Sequence, residues 1–437
     1  MLPSDVRRHV DAIWDKIWAS GVSNPLTAIE YFSTLLLLAR LNDTQEAGGS
    51  SSWATLQRHI DANDPPAVAA LMLAVQSHFG IGASPDIASP ATWRDLATLR
   101  DVMREVTTID LTDRNHDILG DLFEYMLDHL SSAGHFGQFR TPRHLIRFIV
   151  EAVDPRHGEL VLDPAAGTAG FLIAAHEHRG RSKDERYLGI EVDATIARIA
   201  RTNFLMHGID GGSIQHDDSL GDLTQNADVI LANPPFAGSV ISDRVAHYQN
   251  GSLKTELLFL ELMIKRLKPQ GRAGVVVPSG VLTGKSASAT WIRRQLIEVN
   301  RISAIVELPG GVFRPYTDVK TAIILWQNST PADDVLLIRV NADGYSLDDR
   351  REPIPLNDLP SALALIQGNE ANLASARVPL REIRNNSYVL NPSRYISEGV
   401  NGPSASTAAP LSEAVVAIRS AAGSIESELR RLEGLLR

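Results

Sequence analysis

Residues 159–175 read ELVLDPAAGTAGFLIAA. A short apolar strand pattern closes on Asp163, a turn carrying Gly167, Thr168 and Gly170 follows, and an apolar helix pattern starts at Phe171. Strand, glycine turn and helix in that order open a βαβ unit. The glycines let the backbone approach a ligand, and the helix start offers N–H groups with no intrahelical partner. Neither a phosphate-loop lysine nor a three-glycine dinucleotide pattern is present. The Asp163 carboxylate at the strand end therefore suits a ligand with a positive head better than a phosphate.

Working outward, short apolar runs alternate with helical periods from about residue 140. The strand patterns are ELVLD, YLGIEV, SIQHD, DVILAN, AGVVVP, SAIVEL and TAIILW, and between them lie PRHLIRFIVEAV, GFLIAAHEH, ATIARIARTNFLMHG, TELLFLELMIKRL and TWIRRQLIEV. This alternation predicts an α/β, Rossmann-like doubly wound sheet, mainly parallel, with ligands beyond the C-terminal strand ends. Residues 1–133 read as a helical N-terminal domain, 134–345 as the α/β domain and 346–409 as an irregular extension and linker. In the tail, 410–437, Leu411, Val415, Ile418, Ala422, Ile425, Leu429, Leu432 and Leu436 follow a 4-3 heptad spacing, the seam of a helix seeking a partner helix. The same seam also fits a helix folded back on its own chain, and Gly423 weakens it in isolation.

At 437 residues the chain is long enough for two or three domains. Cysteine is absent, which excludes thiolate catalysis, disulfides and Cys-ligated zinc and fits a reducing cytoplasm. No apolar run reaches membrane-spanning length, and the acids in MLPSDVRRHVDAIWDKIW are unlike a secretory signal. The 13 His residues include no H-E-x-x-H spacing, so no metal is expected. A net charge of −10 runs against a protein that grips nucleic acid alone, although Arg140, Arg143 and Arg147 form a local basic cluster. Arg143 and Arg147 share a helix face, suited either to DNA phosphates or simply to solvent.

Acids recur at one rim. Glu191 closes the second strand, where doubly wound folds place an acid on ribose hydroxyls, and Asp217 and Asp218 close the third. Each of them also suits a turn or helix cap. The fourth strand ends in DVILANPPFAG, residues 228–238. Proline cannot extend a buried strand, so the chain stops there and presents the Asn233 amide, the Pro234 and Pro235 turn and the Phe236 ring.

DPAAGTAGF followed by NPPF resembles the S-adenosylmethionine-dependent, adenine-N6 DNA methyltransferases, and GHFGQFRTPRHLIRFIVEAV resembles the cofactor segment that precedes the glycine turn in one class of them. NPLTAIEYFSTLLLLARLND, MHGID, LKPQGRAGVVVPSGVL, ELPGGVFRPYTDVKTAIILW and LNPSRYI narrow the resemblance to the methylation (M) subunit of type I restriction–modification systems, over about residues 13–396.

The resemblance implies a flipped-out adenine whose exocyclic amine donates to the Asn233 side chain and the Pro234 carbonyl, with Phe236 stacked on the base. Two acceptors draw the amine toward tetrahedral geometry and expose its lone pair, so positioning rather than a general base performs the activation. On the cofactor side the resemblance implies Glu191 on the ribose, Asp218 on the adenine edge, and Gln138, Phe139, Thr141, Pro142 and Phe171 toward the methionine end, along the turn Asp163, Gly167, Thr168 and Gly170. Ala169 stands where the family usually has another glycine; a positive φ there costs about 1 kcal/mol or more.

No target-recognition domain is evident, so the resemblance implies a separate specificity (S) subunit docked on the C-terminal helix, a second copy of the chain, and a motor/nuclease (R) subunit for cleavage. The expected function is site-specific adenine-N6 methylation of DNA, with no membrane partner. Two alternatives stand beside it: a protein-glutamine or RNA-adenine methyltransferase using the same amide logic, and a non-catalytic scaffold of a DNA-defence complex. The intact NPPF argues against the scaffold.

Overall fold

The computed structural model describes residues 3–22, 24–43, 52–108, 116–132, 141–181, 186–209, 212–221, 223–236, 238 and 247–396. The C-terminal heptad segment, Gln138, Phe139 and Arg140 lie outside the described residues. Helices come first: α1 (Ser4–Ala19), α2 (Pro25–Asp43), α3 (Trp53–Asp61), α4 (Pro65–His78), α5 (Pro85–Ala88), α6 (Leu96–Thr108) and α7 (His116–Ser132). Local chemistry sets their starts: Ser52, Asp64 and Ser84 each accept a backbone N–H of the first turn, and Pro65 and Pro85 occupy positions where a missing N–H costs nothing.

Then strands and helices alternate: α8 (Arg143–Val153), β1 (Leu160–Asp163), α9 (Gly170–His178), β2 (Arg186–Glu191), α10 (Ala194–Met206), β3 (Gly212–His216), β4 (Ala227–Ala232), α11 (Thr255–Arg266), β5 (Leu267–Pro278), α12 (Ser279–Thr283), α13 (Ala287–Glu298), β6 (Arg301–Glu307) and β7 (Thr321–Gln327). β8 (Asp334–Arg339), β9 (Asp343–Tyr345), β10 (Pro353–Asn357), α14 (Leu359–Ile366), β11 (Ser375–Pro379), α15 (Leu380–Asn385) and α16 (Pro392–Tyr395) complete the described chain.

The main sheet has nine strands in the order β11-β8-β6-β7-β5-β4-β1-β2-β3. β1, β2, β3, β4 and β5 run parallel, as do β6 and β8, while β7 is antiparallel to both its neighbours and β11 is antiparallel to β8. Strand alternation divides the core into two layers. Val229 and Leu231 of β4 and Ile323 and Leu325 of β7 pack with α8, α9, α10 and α14 on one face. Ile230 and Ala232, with Ala322, Ile324 and Trp326, pack with α11, α12, α13 and α15 on the other.

Two features depart from the sequence expectation. Residues 346–409 read as irregular, yet β11 pairs with residues 334–338 of β8 and extends the main sheet. Its sequence SARVP is short and at the sheet edge, where only one face needs apolar residues, so no periodic signal marks it. Second, the N-terminal helices share their core with α10. Ala197, Ala200 and Phe204 face the sheet, whereas Ile196, Ile199 and Met206 join α1, α2, α4, α6 and α7. A buried ion pair crosses the same boundary, Arg198 Nε to Glu30 Oε1 at 2.6 Å, and the Ser84 hydroxyl donates to Glu30 Oε2 at 2.6 Å.

Candidate active site

Chain progression reverses between β1 and β4: β2 and β3 lie to one side, β5 and the rest to the other. Beyond the C-terminal ends of these strands lies a cavity of about 400 Å³. Doubly wound sheets open a crevice there because the two adjoining connections leave in opposite directions. Four strand ends supply its wall: Pro164, Ala165 and Gly167 after β1, Glu191 at the end of β2 with Val192 after it, Asp217, Asp218, Ser219 and Leu220 after β3, and Asn233, Pro234, Pro235 and Phe236 after β4. Thr255 and Phe259, one turn apart on α11, close it.

Glu191 is only 6% exposed. Its carboxylate accepts the Gly167 N–H on Oε2 and the Asp193 N–H on Oε1, both at 2.9 Å. Burial pushes its pKa up, and the two N–H groups oppose that shift. Gly167 takes φ +51 with open space where a Cβ would stand, so the turn keeps the backbone accessible. Asp217 and Asp218 each cap their own turn, Asp217 Oδ1 accepting the Asp218 N–H at 2.8 Å and Asp218 Oδ1 the Leu220 N–H at 3.0 Å. The capping expectation for these two acids is thus met, in side chains of residues that also line the cavity. The Ser219 hydroxyl donates to the Pro164 carbonyl and joins the third strand end to the first.

The remaining residues of the glycine turn sit behind the wall rather than on it. Asp163 is 1% exposed and accepts the Ala165 N–H at 3.0 Å. Burial, reinforced by the nearby Glu191 charge, pushes its carboxyl up to about 8, so it holds its proton at neutral pH. The Thr168 carbonyl accepts from Asn203 Nδ2 at 2.8 Å, Gly170 faces Ile146, and Phe171 is part of the core. Ala169 adopts the left-handed conformation, φ +69 and ψ 22, and is fully buried. The conformation that its missing glycine would make easy is therefore held by an alanine.

At the end of β4 the proline pair stops the strand. Pro234 is buried, Asn233 half-buried. Asn233 Nδ2 donates to Thr141 Oγ1 at 2.8 Å, while its Oδ1 is buried and has no hydrogen-bond partner. The Thr255 hydroxyl donates to the Pro235 carbonyl at 3.0 Å, and the Thr255 N–H to the Gly238 carbonyl at 3.1 Å. Phe236 meets Phe313 edge-on, with ring centroids 6.1 Å apart. Pro142 caps the start of α8, which places Thr141 beside the turn but not in the cavity wall.

The basic cluster divides. Arg143 pairs with the buried Glu124 at 2.7 Å and joins α8 to α7, which accounts for it structurally, and Arg147 is exposed. Val192, Ser219, Leu220, Thr255 and Phe259 were absent from the sequence reading. The first three directly follow the rim acids and could have been found as neighbours of Glu191 and Asp218. Thr255 and Phe259 carry no local signal, because TELLFL reads only as an apolar helix. Among the described residues no group of His, Cys, Asp and Glu is placed to hold a metal, and no helix is long and apolar enough to cross a membrane.

The family model described as N-6 DNA methylase matches residues 114–401, well over half of the chain. The chain is 33% identical over 298 residues to the type I restriction enzyme EcoEI methylase subunit of Escherichia coli, a match covering 64% of this chain and 60% of that protein. It is 31% identical over 264 residues to the StySPI methylase subunit of Salmonella potsdam, covering 54% and 50%. The chain thus spans between half and two-thirds of the length of these relatives. A chain from a solved structure of a type I R-M system superposes with a TM-score of 0.69 at 24% identity, covering 99% of each chain, a likeness of fold.

Proposed function

Because this chain belongs to the N-6 DNA methylase family, we propose that it transfers a methyl group from S-adenosylmethionine to the N6 amine of an adenine flipped out of duplex DNA. One observation carries this reading. Glu191 and Asn233 line the same cavity, and Asn233 Oδ1 is buried without a partner. A buried acceptor left unpaired is costly unless a ligand donates to it.

The lining residues support this reading on the cofactor side. Glu191 would accept the ribose hydroxyls and Asp218 the adenine edge, with Val192 and Leu220 offering apolar surface to the ring and the Gly167 turn admitting the chain of the methionine end. Asp163, Thr168, Gly170 and Phe171 support that turn from behind, and Thr141 and Pro142 lie on the Asn233 side. When bound, S-adenosylmethionine supplies an electrophilic methyl on a sulfonium.

The chain's own residues prepare the nucleophile. An adenine amine is a weak nucleophile because its lone pair is delocalised into the ring. Asn233 Oδ1 and the Pro234 carbonyl would accept its two N–H groups, localise the lone pair and aim it at the methyl. Preorganised acceptors need no reorganisation at the moment of reaction. Phe236, stiffened by Phe313, would stack on the extruded base in place of its duplex neighbours.

In this reading the chain is the methylation subunit of a type I restriction–modification complex. A specificity subunit reads the DNA sequence and engages the heptad segment 410–437, a second copy of the chain completes the methylating assembly, and a motor/nuclease subunit is needed only for cleavage. The acidic balance of the chain, net −10, agrees with a DNA grip supplied largely by partners. The test is transfer of labelled methyl to duplex DNA by the chain together with its specificity partner. Asn233→Ala should abolish transfer while retaining cofactor binding. Label on protein or RNA but not on DNA adenine would overturn the proposal.

A further inference from the structure

The two polar atoms of the Asn233 amide have unequal surroundings: Nδ2 donates to the Thr141 hydroxyl at 2.8 Å, and Oδ1 is buried without a partner. The geometry points to Thr141 as a positioning residue for the target base, acting through Asn233 rather than through the cofactor. This inference rests on the adenine-methylating reading of the cavity.

A carboxamide can turn over about its terminal torsion with little change of shape. Turned one way it offers the cavity an acceptor, turned the other a donor, and only the acceptor can bind an amine. With an amine in the cavity, the orientation seen here satisfies both ends of the amide, because the Thr141 hydroxyl accepts from Nδ2. Without that hydroxyl, the same orientation would leave the half-buried NH2 without its acceptor, at the cost of an unmade hydrogen bond.

Thr141 is held by a frame independent of any ligand. The Leu145 and Ile146 N–H groups both donate to the Pro142 carbonyl at 3.0 Å and begin α8 there. Arg143 pairs with Glu124 at 2.7 Å, and His144 Nε2 lies 2.8 Å from Asp343 Oδ2, with its ring stacked on Tyr345. Arg351 binds the same Asp343 carboxylate, which joins the β9–β10 arm to the head of α8. The head of α8 is thereby fixed from α7 on one side and from this arm on the other. Thr141 itself is absent from the cavity wall, so it reaches the reacting groups only through Asn233.

Thr141→Val keeps the shape and removes the acceptor; Thr141→Ala removes it by a second route, and Thr141→Ser restores it. In the DNA-methylating assembly at saturating cofactor, Val and Ala should lower kcat about 10-fold, the worth of one net hydrogen bond. The cofactor Kd should stay within about 2-fold, since Thr141 is absent from the cavity wall, and Ser should recover most of kcat. A full kcat in the Val and Ala variants, or a defect confined to cofactor Kd, overturns the inference. A second readout needs no activity. In protein labelled with ¹⁵N at asparagine, the Asn233 side-chain resonance, assigned by its loss in Asn233→Asp, should shift in Thr141→Val and return in Thr141→Ser. No shift overturns the positioning role even if the wild-type assembly proves not to methylate adenine, an outcome that would overturn the proposed function instead.

Discussion

Glu191, the last residue of β2, accepts the Gly167 N–H on Oε2 at 2.9 Å and so joins the second strand end to the glycine turn that follows the first. The proposed ribose-binding acid thus also holds the turn along which the cofactor would lie.

Glu191→Gln tests that double role. The glutamine amide has one acceptor for two N–H donors, Gly167 and Asp193, so an NH2 must face one of them. The variant should lose about 1–3 kcal/mol of stability. Cofactor affinity should fall more than about 10-fold, the scale of one lost charge-assisted bond. Calorimetry of cofactor binding and urea melts check the two separately. Unchanged affinity with reduced stability would leave Glu191 a purely structural residue.

Asp163 gives a pH prediction. Its folded pKa, about 8, stands above the ordinary value of 3.8. Between those values the folded state keeps the proton and the unfolded state releases it, so stability falls as pH rises, by up to about 1.4 kcal/mol per pH unit. Asp163→Asn mimics the protonated acid and removes this dependence. The variant's melting temperature should exceed that of the wild type by a margin growing from pH 5 to pH 8. A margin that shrinks over that range would show an ionised Asp163 stabilised in the fold.

Ala169 sets two effects against each other. Glycine relieves left-handed strain of about 1–2 kcal/mol but forfeits a buried methyl worth about 0.8 kcal/mol and adds about 0.5–1 kcal/mol of chain entropy. Ala169→Gly should therefore change unfolding free energy by less than about 1 kcal/mol. Ala169→Val, β-branched at positive φ in a packed site, should cost more than about 2 kcal/mol. Denaturant titration decides; a glycine variant weakened as much as the valine one is incompatible with a positive φ at this residue.

Arg198→Met leaves the Glu30 carboxylate buried without its cation. That should destabilise the protein by about 3–5 kcal/mol, while Glu30→Leu combined with Arg198→Met should recover most of the loss. Additive rather than compensating effects in the double variant would mean that the pair contributes packing alone.

Much of the site was legible from residue order alone. Glu191, Asp218, Gly167 and the Asn233–Phe236 turn were each marked by a strand ending in chemistry that a strand does not need, and all of them line one cavity. Asp163 bore the same mark but lies behind the wall, because a strand-end carboxylate can turn inward onto its own turn as readily as outward. Arg143 was ambiguous for a related reason: helix spacing shows which residues share a face but not that Glu124 waits opposite.

Sequence by itself determined the alternation of strand and helix, the two apolar faces of each central strand and the chemistry at their ends, because periods of 2 and 3.6 are local records of which side is buried. Only the tertiary structure decided which strands are neighbours, that β7 runs antiparallel between β5 and β6, that β11 extends the sheet, and that α10 serves two cores. It also decided what faces Asn233: Thr141 lies 92 positions away in the chain, yet their side chains share a hydrogen bond. Such pairings depend on long-range packing around α8 and β4, and no local period encodes them.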